Sequence, residues 1–87
     1  MQPLTLFYLK FCPYCNEAKK YIEELMLEER YKNIEINWIN EGKEAEIANQ
    51  YDYYLVPTFY LGQTKLHEGI MTREDVRKVF ETALGNP

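Results

Sequence analysis

The sequence predicts an α/β fold of element order βαβαββα, a mixed four-stranded sheet with helices on both faces. Three observations carry this. Short apolar runs at 4–9, 34–38, 57–61 and 64–68 alternate with helical stripes at 13–29 and 72–84 and a weaker one at 43–51. The early strand–helix crossovers, right-handed by rule, set the first strands parallel, while a Gly62-Gln63 turn folds the last two back as an antiparallel hairpin. The first run is almost wholly apolar, and such a central strand needs cover on both faces. At 87 residues, positions 1–87 read as a single domain, with no repeat, linker or low-complexity tract.

Each element has a local reason. Leu4 to Leu9 is aliphatic and aromatic, as a buried strand requires. Pro13 to about Glu29 places Cys15, Ala18, Ile22, Leu25 and Met26 at spacings of three and four, the stripe of an amphipathic helix. Its other face carries Glu17, Lys20, Glu23, Glu24 and Glu28, expected to be solvated along with Glu29. Ile34, Ile36 and Trp38 alternate with Glu35 and Asn37, the period of a strand, and Trp38 is expected in or near the core. Lys43 to about Tyr51 is a short helix with Ala45, Ile47 and Ala48 as core contacts. Pro57 opens a third strand over Thr58–Leu61, and Thr64–Glu68 is the fourth. Thr72 caps the last helix. Asp75 is shorter than the Glu or Gln of a capping box, so only the cap is expected. Val76, Val79, Phe80, Ala83 and Leu84 form the stripe, and Gly85-Asn86-Pro87 is the stop.

Composition excludes several function classes. A net charge of −4 argues against nucleic acid, whose binders carry a basic face. No apolar run approaches the ~20 residues of a membrane helix, so no membrane partner is expected. The Leu4–Leu9 run is too short for a secretion signal and lacks a basic lead-in. Two cysteines are too few for a disulfide scaffold, and the expected compartment is a reducing cytoplasm. His67 is the one histidine, with no second cysteine pair beside it, so no metal site is expected within one chain.

Cys12-Pro13-Tyr14-Cys15 stands where the first strand feeds the first helix. Pro13 suits the first helical position, where its missing N–H leaves no gap. Cys12 then lies at the helix mouth, facing unpaired amides and the positive end of the dipole. A thiolate is stabilised there, and its pKa is expected below the free-thiol value of about 8.5. Cys15 falls one turn deeper on the buried stripe and is expected to be shielded and less acidic. As a staple, the pair closes a ring worth only about 2 kcal/mol. A cheap and local bond suits repeated opening and closing. A drop of ~3 pKa units raises the thiolate fraction roughly thirtyfold, but a Brønsted slope of ~0.5 returns a similar factor. The larger gain is that Cys12 becomes a good leaving group when Cys15 attacks.

On Cys12-Pro13-Tyr14-Cys15, the preceding strand, the element order and Val56-Pro57, the chain resembles a dithiol glutaredoxin within the thioredoxin-like superfamily. The resemblance implies a thiol–disulfide oxidoreductase with Cys12 and Cys15 as catalytic pair. It implies that Pro57 is a cis-proline beside the site, with the Val56 backbone available for strand addition by a substrate. Tyr14 shields the disulfide and contacts substrate, or is a solvent-edge aromatic. Implied partners are disulfide-containing proteins and either glutathione, as co-substrate, or a thioredoxin-reductase-type reductant. No bound cofactor is implied, and a monomer is expected. The family's glutathione site maps onto Lys10, Tyr14, Val56, Pro57, Gly69 and Thr72. The pattern departs there: Lys10 is two residues before Cys12 rather than three, and Glu68-Gly69 stands where the family has two glycines. Arg73 is a further source of positive charge. The alternatives are a glutathione-independent, thioredoxin-like electron carrier and a module holding an iron–sulfur cluster between two chains. Phe11 is the candidate for an exposed recognition residue. Tyr51-Asp52-Tyr53-Tyr54 packs the second helix on the sheet or walls a substrate groove.

Overall fold

Strand β1 (Leu4–Tyr8) occupies the middle of the sheet because its side chains alternate between two apolar surroundings. A computed structural model describes residues 2–85 of the chain. β1 runs parallel to β2 (Ile36–Asn40) and antiparallel to β3 (Thr58–Leu61). β3 pairs antiparallel with β4 (Thr64–Glu68), giving the spatial order β2-β1-β3-β4. Helices α1 (Pro13–Leu25) and α3 (Arg73–Ala83) cover one face, where Leu4, Leu6, Ile22, Phe59, Val76 and Phe80 are buried together. The single turn α2 (Ala45–Ala48) lies with Tyr51 and Tyr53 on the other face, over Phe7 and Tyr60. The expected α/β order and the mixed four-stranded sheet are therefore as read from the sequence.

Several boundaries differ, each for a tertiary reason. α1 stops at Leu25 rather than near Glu29. The amides of Leu27 and Glu28 bond three residues back, to Glu24 and Leu25, and this tighter turning ends the helix. The turn carries Tyr31 and Ile34 into the core, with the Tyr31 and Phe80 rings 5.4 Å apart. Ile34 is thus a core residue ahead of the strand, and β2 begins at Ile36. Trp38 is 38% exposed, contrary to expectation, because β2 is the outer strand and a cleft separates this position from α1. α2 is one turn only, and of Ala45, Ile47 and Ala48 it buries Ala48 alone.

The acidic face of α1 is not simply solvated. Glu17, Lys20, Glu23 and Glu29 are exposed as expected, but Glu24 pairs with Arg73 at 3.4 Å and Glu28, just past the helix, with Arg77 at 3.2 Å. At the head of α3 the capping box is complete, which corrects the expectation of a cap alone. The Thr72 side chain accepts the Asp75 N–H at 3.1 Å, and the Asp75 carboxylate accepts the Thr72 N–H at 2.9 Å. Aspartate suffices because its carboxylate has only to reach the backbone of the same turn. At the other end of α3, Gly85 takes a positive φ of 87°. Asn86 and Pro87, the rest of the expected stop, lie outside the described residues.

Candidate active site

Cys12 is the N-cap of α1, in extended conformation (φ −91°, ψ 116°), with Pro13 opening the helix behind it. The Cys15 N–H donates to Cys12 Sγ at 3.2 Å, and the Asn16 N–H to the Cys12 carbonyl at 2.9 Å. A sulfur thus fills the position that a serine or aspartate oxygen holds in an ordinary cap. That sulfur stands at the positive end of the helix dipole, where it accepts a hydrogen bond from a backbone amide. Both cysteines are free thiols. Cys12 is partly exposed, whereas Cys15 is 5% exposed on the inner stripe of α1. Burial pushes the Cys15 thiol up to about 12, with its hydrogen bond to Cys12 the next cause. The arrangement is an accessible sulfur at a helix mouth and a protonated one held behind it.

The approach to β3 and the exit from β4 hold the backbone at Pro57. The Val56–Pro57 bond is cis. Pro57 is buried, and its carbonyl accepts the Gly69 N–H at 2.8 Å. Gly69 itself has φ +91°, and a side chain there meets Leu55 Cδ1 at 3.3 Å. Val56, half-buried, packs toward Phe7, and among the described residues its N–H and C=O have no hydrogen-bond partner. The sequence thus finds Val56, Pro57 and Gly69 in one place, but Gly69 acts there as a backbone partner of Pro57.

Glu68 explains why the 54–57 segment holds its shape. Its carboxylate accepts the N–H groups of Tyr54 and Leu55, the second at 2.9 Å, and pairs with Lys65 at 2.7 Å. Lys65 first, then the two amides, hold Glu68 down at about 2. Its charge is therefore satisfied internally. The clamp presents Tyr54, 90% exposed, and Leu55 to solvent, while Tyr51 and Tyr53 stack on Phe7. The tyrosine run thus divides between packing and surface. His67 Nε2 lies 2.9 Å from the Ile70 carbonyl, a hairpin role.

The remaining expected site residues differ in role. Thr72 is occupied as a cap, with Asp75 already at the mouth of α3, and Arg73 is engaged by Glu24. Tyr14 stands exposed on α1. Phe11 is 89% exposed, and Lys10 lies 5.6 Å from its ring centre. Lys10 also lines two clefts, one reaching Cys12 and the other Cys15. The sequence reading missed Glu68, for which no local pattern exists. It also missed Lys19, although Cys15, Lys19 and Glu23 follow the four-residue repeat of one helix side.

The family described as "Glutathione S-transferase, N-terminal domain" matches residues 6–69. Among solved structures, one described as a malarial protein is similar at 19% identity and TM-score 0.70, over 93% of this chain and 94% of that one. A mutant thioredoxin from Halobacterium salinarum NRC-1 is similar at 19% identity and TM-score 0.69, over 92% of this chain and 72% of that one. At such identity these likenesses concern the fold alone. No curated protein matches the sequence.

Proposed function

The chain belongs to the glutathione S-transferase N-terminal domain family and has a thioredoxin-like fold, and from that premise we propose that it is a thiol–disulfide oxidoreductase working through Cys12 and Cys15. The observation that carries this is the Cys15 amide on Cys12 Sγ at the mouth of α1. A static buried pair has no use for a partly exposed cysteine placed as a helix cap.

The cycle uses only groups already described. The Cys12 thiolate attacks one sulfur of a substrate disulfide. That S–S bond breaks, and the other sulfur leaves as a thiolate that takes up a proton. Cys15 then gives up its proton as its sulfur attacks Cys12 Sγ. The mixed disulfide breaks, the second substrate sulfur leaves as a thiol, and a Cys12–Cys15 disulfide remains. Two electrons have passed from the dithiol to the substrate. A thiol reductant returns two electrons and two protons. The high proton affinity of Cys15 keeps it neutral until it is needed, so it does not compete with Cys12 for the first attack. The free backbone groups of Val56 suit strand addition by an extended substrate segment.

Two sources of reducing thiol compete. Family membership favours glutathione, acting on glutathione or protein mixed disulfides in the manner of a glutaredoxin. The occupied mouth of α3, where Asp75 and the Arg73–Glu24 pair stand, favours a glutathione-independent carrier. Assaying one sample with glutathione mixed disulfide and with a thioredoxin-reductase-coupled system separates them. Cys12→Ser is expected to abolish reduction in both, and full activity in that variant removes the proposal. Cys15→Ser retains deglutathionylation if glutathione is used, and otherwise accumulates trapped mixed disulfides.

A further inference from the structure

A cleft of about 780 Å³ lies between α1 and the outer strand β2. Tyr8 and Trp38 line it, their rings edge to face at 5.9 Å, together with Cys15 and the side chains of Lys10, Lys19 and Lys43. A second cleft of about 440 Å³ is lined by Lys10, Asn40 and Lys43 as well, and reaches Cys12 and Phe11. The three shared residues make the two neighbours, so one groove leads from the attacking sulfur to Trp38.

The charge of this groove is opposite to that of the protein. The chain carries −4 overall, yet three ammonium groups line the larger cleft against one carboxylate, Glu23. Elsewhere most cations are matched: Arg30, Arg73 and Arg77 pair with Glu81, Glu24 and Glu28, Lys32 with Glu29, and Lys65 with Glu68, which leaves Lys20 and Lys78, apart from the groove, without an ion pair among the described residues. Lys10, Lys19 and Lys43 form no ion pair among the described residues. Unmatched charge of one sign in a concave site draws ligands of the other sign. The volume and aromatic wall fit a short peptide better than a lone anion.

We propose that this groove receives an acidic peptide segment flanking the disulfide of a protein substrate, with Lys10, Lys19 and Lys43 on its carboxylates and Trp38 against its side chains. The proposal rests on Cys12 being the attacking sulfur, and it gives the dithiol a substrate class. Such a substrate lays its disulfide at Cys12 and its acidic flank along β2. The lysines act on substrate binding and take no part in the exchange of sulfur bonds.

The test separates binding from chemistry. In a Cys12→Ser/Cys15→Ser chain, Trp38 is the one tryptophan and its fluorescence reports occupancy. Acidic, neutral and basic disulfide-free peptides of one length are titrated at low and high salt. The acidic peptide is expected to bind tightest and to weaken with salt. Lys19→Gln/Lys43→Gln is expected to reduce its affinity roughly fivefold, and Lys19→Glu/Lys43→Glu to reverse the preference toward the basic peptide. Equal binding of all three peptides, or an unchanged preference in the glutamate variant, overturns the proposal. So does glutathione alone producing the full Trp38 change, which assigns the groove to a small thiol. A wild-type chain without reductase activity removes the dithiol reading and leaves the peptide result to stand. An active wild type with no preference for acidic flanks removes the groove alone.

Discussion

The Gly69 N–H donates to the Pro57 carbonyl at 2.8 Å, one step beyond the Thr58–Glu68 pair that ends the β3–β4 ladder. The contact ties the approach to β3 to the exit from β4. It also sets Leu55 against the face of Gly69 where a side chain would meet Leu55 Cδ1 at 3.3 Å, a tight contact.

Gly69→Ala is therefore expected to cost about 1–2 kcal/mol from the positive φ, with the Leu55 contact adding to it. Gly85 has a similar φ of +87° and nothing within 4 Å, so Gly85→Ala isolates the backbone cost. Urea midpoints of the two variants give the comparison. Equal losses mean that Leu55 moves aside freely.

Glu68 links stability to acid. Its folded-state proton affinity is low, so its contribution is present above the ordinary carboxylate range near 4.5 and is lost as pH falls toward about 2. Glu68→Gln is expected to flatten the acid limb of the stability curve over that interval. Amide exchange at Tyr54 and Leu55 is expected to speed up several-fold in Glu68→Ala, measured by NMR. Unaltered exchange at both amides refutes the clamp.

Cys15 acts at the alkaline end. A thiol held near 12 in the fold but near 9 when unfolded gives no pH dependence at neutrality, and stability falls as pH rises from 9 toward 12. The reduced Cys15→Ser variant is expected to lose less stability between pH 8 and 10 (about two units spanning the unfolded thiol's range) than the reduced wild type. At neutral pH, iodoacetamide is expected to modify Cys12 well before Cys15, as read by peptide mass. Modification of Cys15 first contradicts the burial argument.

What the sequence discloses here is what acts locally. Cys12-Pro13 marks a helix mouth by itself, because a cap and a first-turn proline need no distant partner. The hairpin at Gly62, with φ +59°, is equally local. The end of α1 is not, because it depends on Tyr31 reaching Phe80 and Glu81, about fifty positions away. Trp38 looks like a core residue from its alternation with Glu35 and Asn37, and only the strand order reveals that it stands on an outer strand. Glu24 and Glu28 look solvated until α3 brings Arg73 and Arg77 against them. The same reason hides the site at β4: Glu68 acts through amides in a loop that the hairpin alone brings near.

The position of β1 also bears on how the chain is made. It emerges first of the four strands, yet it lies at the centre, paired with residues 36–40 on one side and 58–61 on the other. During synthesis its second partner is still missing when more than half of the sheet's sequence has left the ribosome. A nascent chain therefore carries a bare, apolar strand edge until β3 arrives, the state most exposed to misassociation with other chains. Completion of the sheet is a long-range event, so the dithiol beyond the end of β1 gains its rigid setting only once residues 58–61 have paired.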